Sequence, residues 1–156
     1  STPLYSSAAS DVYKRQVCVQ GFRYFNVYGP LEDHKGNQAS PVTKFTKQAK
    51  DTGQVTLFFG SDNFKRDFVF IGDVCEAHKQ LMENKKAGLY NIGTGTATSF
   101  EEVGELIATK NNAEIKYVEM PDNLKGQYQE YTCADTTKLN NVTDIKFTTV
   151  KDFVNG

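Results

Sequence analysis

Asn26 and Lys35 are the residues whose types and placement most invite chemistry. In the stretch Phe22–Gly36, FRYFNVYGPLEDHKG, a run rich in aromatic and β-branched residues passes through an asparagine and a valine, and the loop after Gly29-Pro30 delivers a lysine. A side-chain amide anchors a polar ligand through both its donor and its acceptor. An ammonium group can move a proton near neutrality only where desolvation or a second cation lowers its pKa, because an exposed lysine holds its proton too tightly. Aromatic and β-branched residues on both faces of the run predict a strand buried in a mixed or parallel sheet, with Gly29-Pro30 as its stop. In open α/β sheets the ligand crevice lies beyond the carboxyl ends of the strands, which puts Asn26, Val27 and the Lys35 loop where ligands bind. The plainer reading of the same residues is a buried strand followed by a charged surface turn.

Regular alternation of strand and helix signals frames this stretch. Ser40-Pro41 reads as a cap with proline at the first helical position, and VTKFTKQAKDTG runs on to a terminating Gly53. Val55–Phe59 reads as a short strand, Gly60–Lys65 as a polar loop and Phe68–Ile71 as a buried strand. Asp73 is expected to cap a helix to about Asn84, with Val74, Ala77, His78, Leu81 and Met82 on one face. Leu89–Ile92 reads as a strand and Gly93–Thr98 as a turn. Ser99 and Glu102 have capping-box spacing for a helix to about Lys110. A strand at Ile115–Val118, a short helix at Thr136–Leu139 and a last helix from Thr148 or Thr149 complete the series, which predicts an α/β fold.

Composition narrows the class. Of the 156 residues 38% are hydrophobic and 24% charged, ordinary for a chain that buries one core, and the net charge of −1 comes without any block of like charges. No nucleic-acid footprint and no membrane span are therefore expected. Cys18, Cys75 and Cys133 are odd in number, far apart and without metal-ligand spacing, so they read as reduced core residues of a cytoplasmic protein. Two histidines, His34 and His78, are too few for a metal site, and none is expected. Gly93-Thr94-Gly95-Thr96 sits between a strand and a helix, yet Thr98 stands where a dinucleotide fingerprint needs glycine or alanine, so it reads as a turn. Ser6–Gln16, SSAASDVYKRQ, matches the codon-by-codon translation of a common transposon-based sequencing adapter. Residues 1–16 are thus expected to be non-native and poorly packed, leaving 17–156 as the native portion.

The segments RYFNVYGP, GSDNFKRDFVFIGDV, GLYNIGTGTATSF and PDNLKGQYQEYTCAD follow one another in this chain. In that order they resemble the C-terminal half of extended short-chain dehydrogenase/reductases, of the NAD-dependent epimerase/dehydratase type, over essentially all of Val17–Gly156. EDHKG, FFGSDNFKRDF and PDNLKGQYQ narrow the resemblance to the branch that epimerises ADP-heptose at C-6. The resemblance implies the last strands of a Rossmann-type sheet plus the smaller substrate-binding α/β portion, with NADP as cofactor, ADP-heptose as substrate and a homo-oligomer, a pentamer, as the assembly. It implies Lys35 as one of two acid/base groups, Val27 and Lys35 as neighbours of the cofactor, and Asn26, Asn37, Lys44, Phe58, Phe59, Gly60, Ser61, Arg66 and Tyr128 as substrate-binding positions. Three depart from the common pattern: Asn37 stands for serine, Lys44 for histidine and Phe59 for glutamate. The branch's glycine-rich loop and Tyr-x-x-x-Lys pair are expected upstream of Val17, so the 156-residue chain alone is expected to be inactive.

Each implied role has a physical reason and a plainer competitor. Arg66 offers a planar fork for diphosphate oxygens, or an ion pair with Asp67 or Asp62. Gly60 admits close backbone approach, and Phe58 offers a face to adenine or packs in the core. Tyr128 presents a hydroxyl from a polar stretch, or is a surface tyrosine. Lys35 is an acid/base group or a solvated loop lysine. A different hexose 4-epimerase or dehydratase of the same family, or a non-catalytic sugar-nucleotide binding module, are the other functions compatible with these residues.

Overall fold

The computed structural model describes residues 18–126 and 128–156, so the reading of residues 1–16 lies outside the described residues. In chain order the elements are β1 (Gln20–Tyr24), β2 (Asn26–Tyr28), a 3-10 segment (Asp33–Gln38), α1 (Pro41–Thr52), β3 (Gln54–Phe58), β4 (Lys65–Phe70) and α2 (Ile71–Asn84). There follow β5 (Gly88–Ile92), β6 (Ala97–Ser99), α3 (Phe100–Lys110), β7 (Glu114–Val118), α4 (Thr137–Asn140) and α5 (Val150–Asn155). This is the α/β arrangement expected from the alternating signals.

The strand expected through Phe22–Tyr28 is two strands with different partners. β1 pairs in parallel with β5, from Gln20↔Gly88 to Tyr24↔Ile92, and the Phe25 amide extends that ladder to the Ile92 carbonyl. From Asn26 the chain takes up β4 instead, with Asn26↔Phe68, Val27↔Val69 and Tyr28↔Phe70. Burial on both faces holds for Tyr28 but not for β1, where Arg23 is exposed and Tyr24 is 52% exposed.

β4 is the wall of the molecule. Side chains alternate across a strand, so Phe68 enters a core with Val42, Leu57, Phe100 and Ile107, while Val69 enters a second core with Val74, Leu81, Tyr90 and Ile92. Its start is longer than the expected Phe68–Ile71 because β6 pairs with it antiparallel, Lys65↔Ser99 to Asp67↔Ala97, inside what reads in sequence as a turn. Of the three charged residues in that ladder Lys65 is exposed, while Arg66 and Asp67 are buried.

Local helix signals are met where they are local. Ser40 Oγ accepts the Thr43 amide at 3.3 Å, and Gly53 ends α1 at φ +68°. Ser99 Oγ accepts the Glu102 amide at 3.1 Å, and Thr149 Oγ1 accepts the Asp152 amide at 3.1 Å. Asp73, by contrast, does not cap its helix: α2 starts two residues earlier, and the Asp73 carboxylate accepts the Thr148 amide at 2.6 Å and the Thr148 hydroxyl at 3.1 Å. It therefore ties the first turn of α2 to the segment that enters α5. Met82 is exposed, because Val74, Ala77 and Leu81 already define the buried stripe. Cys18 and Cys75 are exposed rather than core residues, and all three cysteines are free; Cys75 lies off the α2 stripe and Cys18 ahead of β1.

Candidate functional site

Three clefts lie along the first three turns of α1, and neighbouring clefts share residues. The first, about 480 Å³, is lined by Gly29–Asp33, Thr43, Lys47 and Phe153 among others. The second, about 410 Å³, takes in Asn37, Thr43, Lys44 and Gln48. The third, about 360 Å³, is lined by Lys44, Gln48, Thr56, Phe58, Ser61, Phe64, Phe100 and Tyr128. Thr43 borders the first two, and Lys44 and Gln48 the last two.

The third cleft gathers four of the residues singled out in the sequence: Lys44, Phe58, Ser61 and Tyr128. Phe58 closes β3, where Thr56 and Phe58 alternate with the buried Val55 and Leu57. Gly60 turns the chain at φ +81°, a backbone region that disfavours a Cβ. Ser61 is buried and donates to Glu101 at 2.7 Å, while Tyr117 donates to the other oxygen of Glu101, also at 2.7 Å. Those two hydrogen bonds hold the Glu101 carboxyl below its ordinary range, Ser61 contributing most. Phe59 points away from the cleft lining, 58% exposed, and stacks on Tyr117 with ring centres 5.7 Å apart.

Arg66 adjoins this cleft through two of its walls. Its guanidinium carbon lies 5.4 Å from the centre of the Phe100 ring and 5.5 Å from that of Tyr128. Only 8% of the residue is exposed, and two of its N–H groups are used, on the Lys65 carbonyl at 2.9 Å and on the Gln129 carbonyl. Burial lowers the pKa of Arg66 and raises that of Tyr128, and each partly offsets the other. The ion pair with Asp67 weighed from sequence does not form, because adjacent strand residues face opposite ways. Asp67 is fully buried and accepts four bonds: Thr94 N at 2.8 Å, Thr94 Oγ1 at 2.7 Å, Gly95 N at 2.8 Å and Ala134 N at 3.0 Å. The glycine-bearing turn thus surrounds the chain's own carboxylate, where a phosphate loop would surround a ligand.

The remaining predicted residues stand apart from the third cleft. Asn26 and Val27 are half-buried in β2, and Val27 packs on the second core. Asn37 is exposed and lines the second cleft with Lys44. Lys35 lies in the 3-10 segment, 40% exposed, with Nζ 2.9 Å from Glu32 Oε1. Among the described residues its ion-pair partner is an anion, Glu32. Glu32 and Glu101 are the side chains to which sequence reasoning gave no role, and Asp67 entered it only as an alternative partner for Arg66. The i to i+3 spacing of Glu32 and Lys35 was the one local signal available.

Among the described residues no group of three or more His, Cys, Asp or Glu is placed to hold a metal ion, and no helix is long and apolar enough to cross a membrane. A sequence model of the NAD dependent epimerase/dehydratase family matches residues 5–93. Among solved structures, the chain is similar to ADP-L-glycero-D-manno-heptose-6-epimerase from Helicobacter pylori at 27% identity and a TM-score of 0.79, covering 94% of this chain and 46% of that one. It is similar to UDP-glucose 4-epimerase from Thermotoga maritima, solved with UDP-glucose, at 26% identity and a TM-score of 0.76, covering 96% of this chain and 49% of that one. RMD from Pseudomonas aeruginosa, complexed with NADPH, shares the fold at 22% identity and a TM-score of 0.74, covering 96% of this chain and 50% of that one. The chain spans about half the length of the solved structures it matches.

Proposed function

The chain belongs to the NAD dependent epimerase/dehydratase family, and on that footing we propose that it forms the substrate-binding part of an NADP-dependent enzyme that epimerises ADP-D-glycero-β-D-manno-heptose at C-6. It has the Rossmann-like α/β fold of the extended branch of that family. The observation that carries the proposal is Arg66: a buried guanidinium with no carboxylate partner among the described residues, beside a cleft lined by Lys44, Phe58, Ser61 and Tyr128. Two of its five N–H donors hold backbone carbonyls, which fixes the plane and leaves the others for a diphosphate.

In this reading Phe58 takes the adenine face, Arg66 and Lys44 the diphosphate, and Tyr128 and Asn26 the polar groups of the sugar. Gly60 and Ser61 offer backbone contacts, which the Phe59 departure leaves intact, and Asn37 serves the sugar from the adjoining cleft. Oxidation of the C-6 alcohol to a ketone removes a hydride and a proton, and reduction on the opposite face returns both, so the reaction is an isomerisation without net redox change. A nicotinamide cofactor supplies the hydride acceptor. Val27 and Lys35 are the residues of this chain assigned to its nicotinamide end, Lys35 also moving the proton at the C-6 oxygen. The turn best shaped for an anion, at Thr94 and Gly95, is closed by Asp67, so the cofactor diphosphate is assigned to residues beyond those described.

The other acid/base group is assigned to a Tyr-x-x-x-Lys pair upstream, and the 156-residue chain alone is proposed to be inactive. The full-length enzyme is proposed to be a cytoplasmic pentamer. A UDP-hexose or dTDP-hexose substrate is the competing reading, favoured by the nearly equal likeness to UDP-glucose 4-epimerase. Assaying the full-length gene product on ADP-heptose, UDP-hexose and dTDP-hexose in parallel separates the two.

A further inference from the structure

We propose that Glu32 is the positioning residue for Lys35, an inference that rests on the proton-transfer role given to Lys35 above. The backbone of this loop is arranged around the Glu32 side chain. Leu31, immediately before it, is exposed at φ +66°, a conformation that leucine rarely adopts, while Glu32 itself turns inward and is 5% exposed. A carboxylate taken out of water is tolerated only when its oxygens are hydrogen-bonded and its charge is met, and here the two oxygens divide that work. Oε2 accepts the Ser40 and Thr43 hydroxyls, each at 2.5 Å. Oε1 accepts the Lys35 ammonium at 2.9 Å and the Ser40 amide at 3.4 Å. The Lys35 backbone amide also donates to the Glu32 carbonyl at 2.9 Å, so the lysine is held at both ends.

One oxygen therefore binds the start of α1 through two hydroxyls, and the other binds the lysine together with the Ser40 amide. Ser40 is the N-cap of α1, and the same first turn carries Thr43 and Lys44, the residues that border the adjoining clefts. A displacement of the α1 start is transmitted to Lys35 through a single buried side chain. Asp33, Lys47, Lys50 and Asp51 are the other charged residues of the first cleft, and among the described residues none of them pairs with Lys35 or Glu32. Glutamine in place of Glu32 reproduces only half of this arrangement. If its carbonyl faces the two hydroxyls, its NH₂ group faces the ammonium.

The test has two arms. In the 156-residue chain, NMR of ¹³C-labelled lysine side chains should show the Lys35 resonance moving in acid as Glu32 takes up its proton, a transition missing in E32Q and retained in S40A, which keeps the carboxylate. A Lys35 resonance that passes through acid unchanged in the unmodified chain overturns the proposal without any variant needing to fold. In the full-length enzyme, E32Q should lower kcat about tenfold or more with KM within about threefold, the split expected when a group is mispositioned rather than binding lost. E32D should recover part of kcat. Unchanged kcat in E32Q, where K35A abolishes turnover, refutes the positioning role alone. Full turnover in K35A refutes the role of Lys35 itself and removes any catalytic meaning from Glu32.

Discussion

Arg66 and Asp67 are neighbours in β4 and face opposite sides of it, the guanidinium over the rings of Phe100 and Tyr128 and the carboxylate under Thr94 and Gly95. One strand thus carries a cation assigned to the ligand and an anion that holds the fold. Opposite outcomes are expected from substituting the two.

Arg66→Lys keeps the charge and loses the fork that spans the Lys65 and Gln129 carbonyls. We expect the affinity of the full-length protein for an ADP-sugar to fall ten- to a hundredfold, about 1.5–3 kcal/mol for a charge-assisted hydrogen-bonding group. Isothermal titration reads this directly. Equal affinities of the variant and the parent would remove Arg66 from the diphosphate site.

Asp67→Asn should act on stability. The carboxylate accepts three backbone amides and a hydroxyl, and an amide group in its place must turn a donor toward some of those donors. With each unsatisfied buried group costing about 1–3 kcal/mol, a loss of about 3 kcal/mol or more is expected. Urea unfolding of the 156-residue chain measures it, and a loss below about 1 kcal/mol would contradict the arrangement.

Glu32 gives the chain a pH dependence whose sign follows from its bonds. Burial works against the charged form, but the Ser40 and Thr43 hydroxyls and the Lys35 ammonium outweigh it, so the folded-state pKa lies below the ordinary glutamate value. Between those two values the unfolded chain binds more protons. The contribution is therefore complete above about pH 4.5, the ordinary glutamate range, and is lost as the pH falls through the lowered folded value. Urea midpoints measured from pH 7 down to pH 3 should fall more steeply for the parent chain than for E32Q. Parallel profiles would mean that Glu32 is not held as described.

What was legible in the sequence is what nearby residues decide. Ser40 and Gly53 mark the two ends of α1, and Ser99 with Glu102 marks the start of α3 within one turn; of the two starts open for the last helix, Thr148 and Thr149, it is Thr149 that caps α5. The roles of Asp67 and Asp73 depend on partners 27 to 75 residues away, Thr94, Ala134 and Thr148, and no local pattern marks them. The break between β1 and β2 is of the same kind: Phe22–Tyr28 reads as one strand, and only the competing partners Ile92 and Phe68 divide it at Phe25. For the site, family likeness pointed to Lys44, Phe58, Ser61 and Tyr128, which line one cleft, whereas the carboxylates that brace the Lys35 loop and Ser61, Glu32 and Glu101, follow only from the folded geometry.

Epimerisation of an ADP-heptose, proposed for the full-length enzyme, is tested by ¹H NMR of ADP-D-glycero-β-D-manno-heptose incubated with that enzyme and NADP⁺, with UDP-glucose and dTDP-glucose as parallel substrates. We expect accumulation of the L-glycero epimer without net reduction of the cofactor and no change in either hexose. Turnover of UDP-glucose or dTDP-glucose with the ADP-heptose left untouched would contradict it.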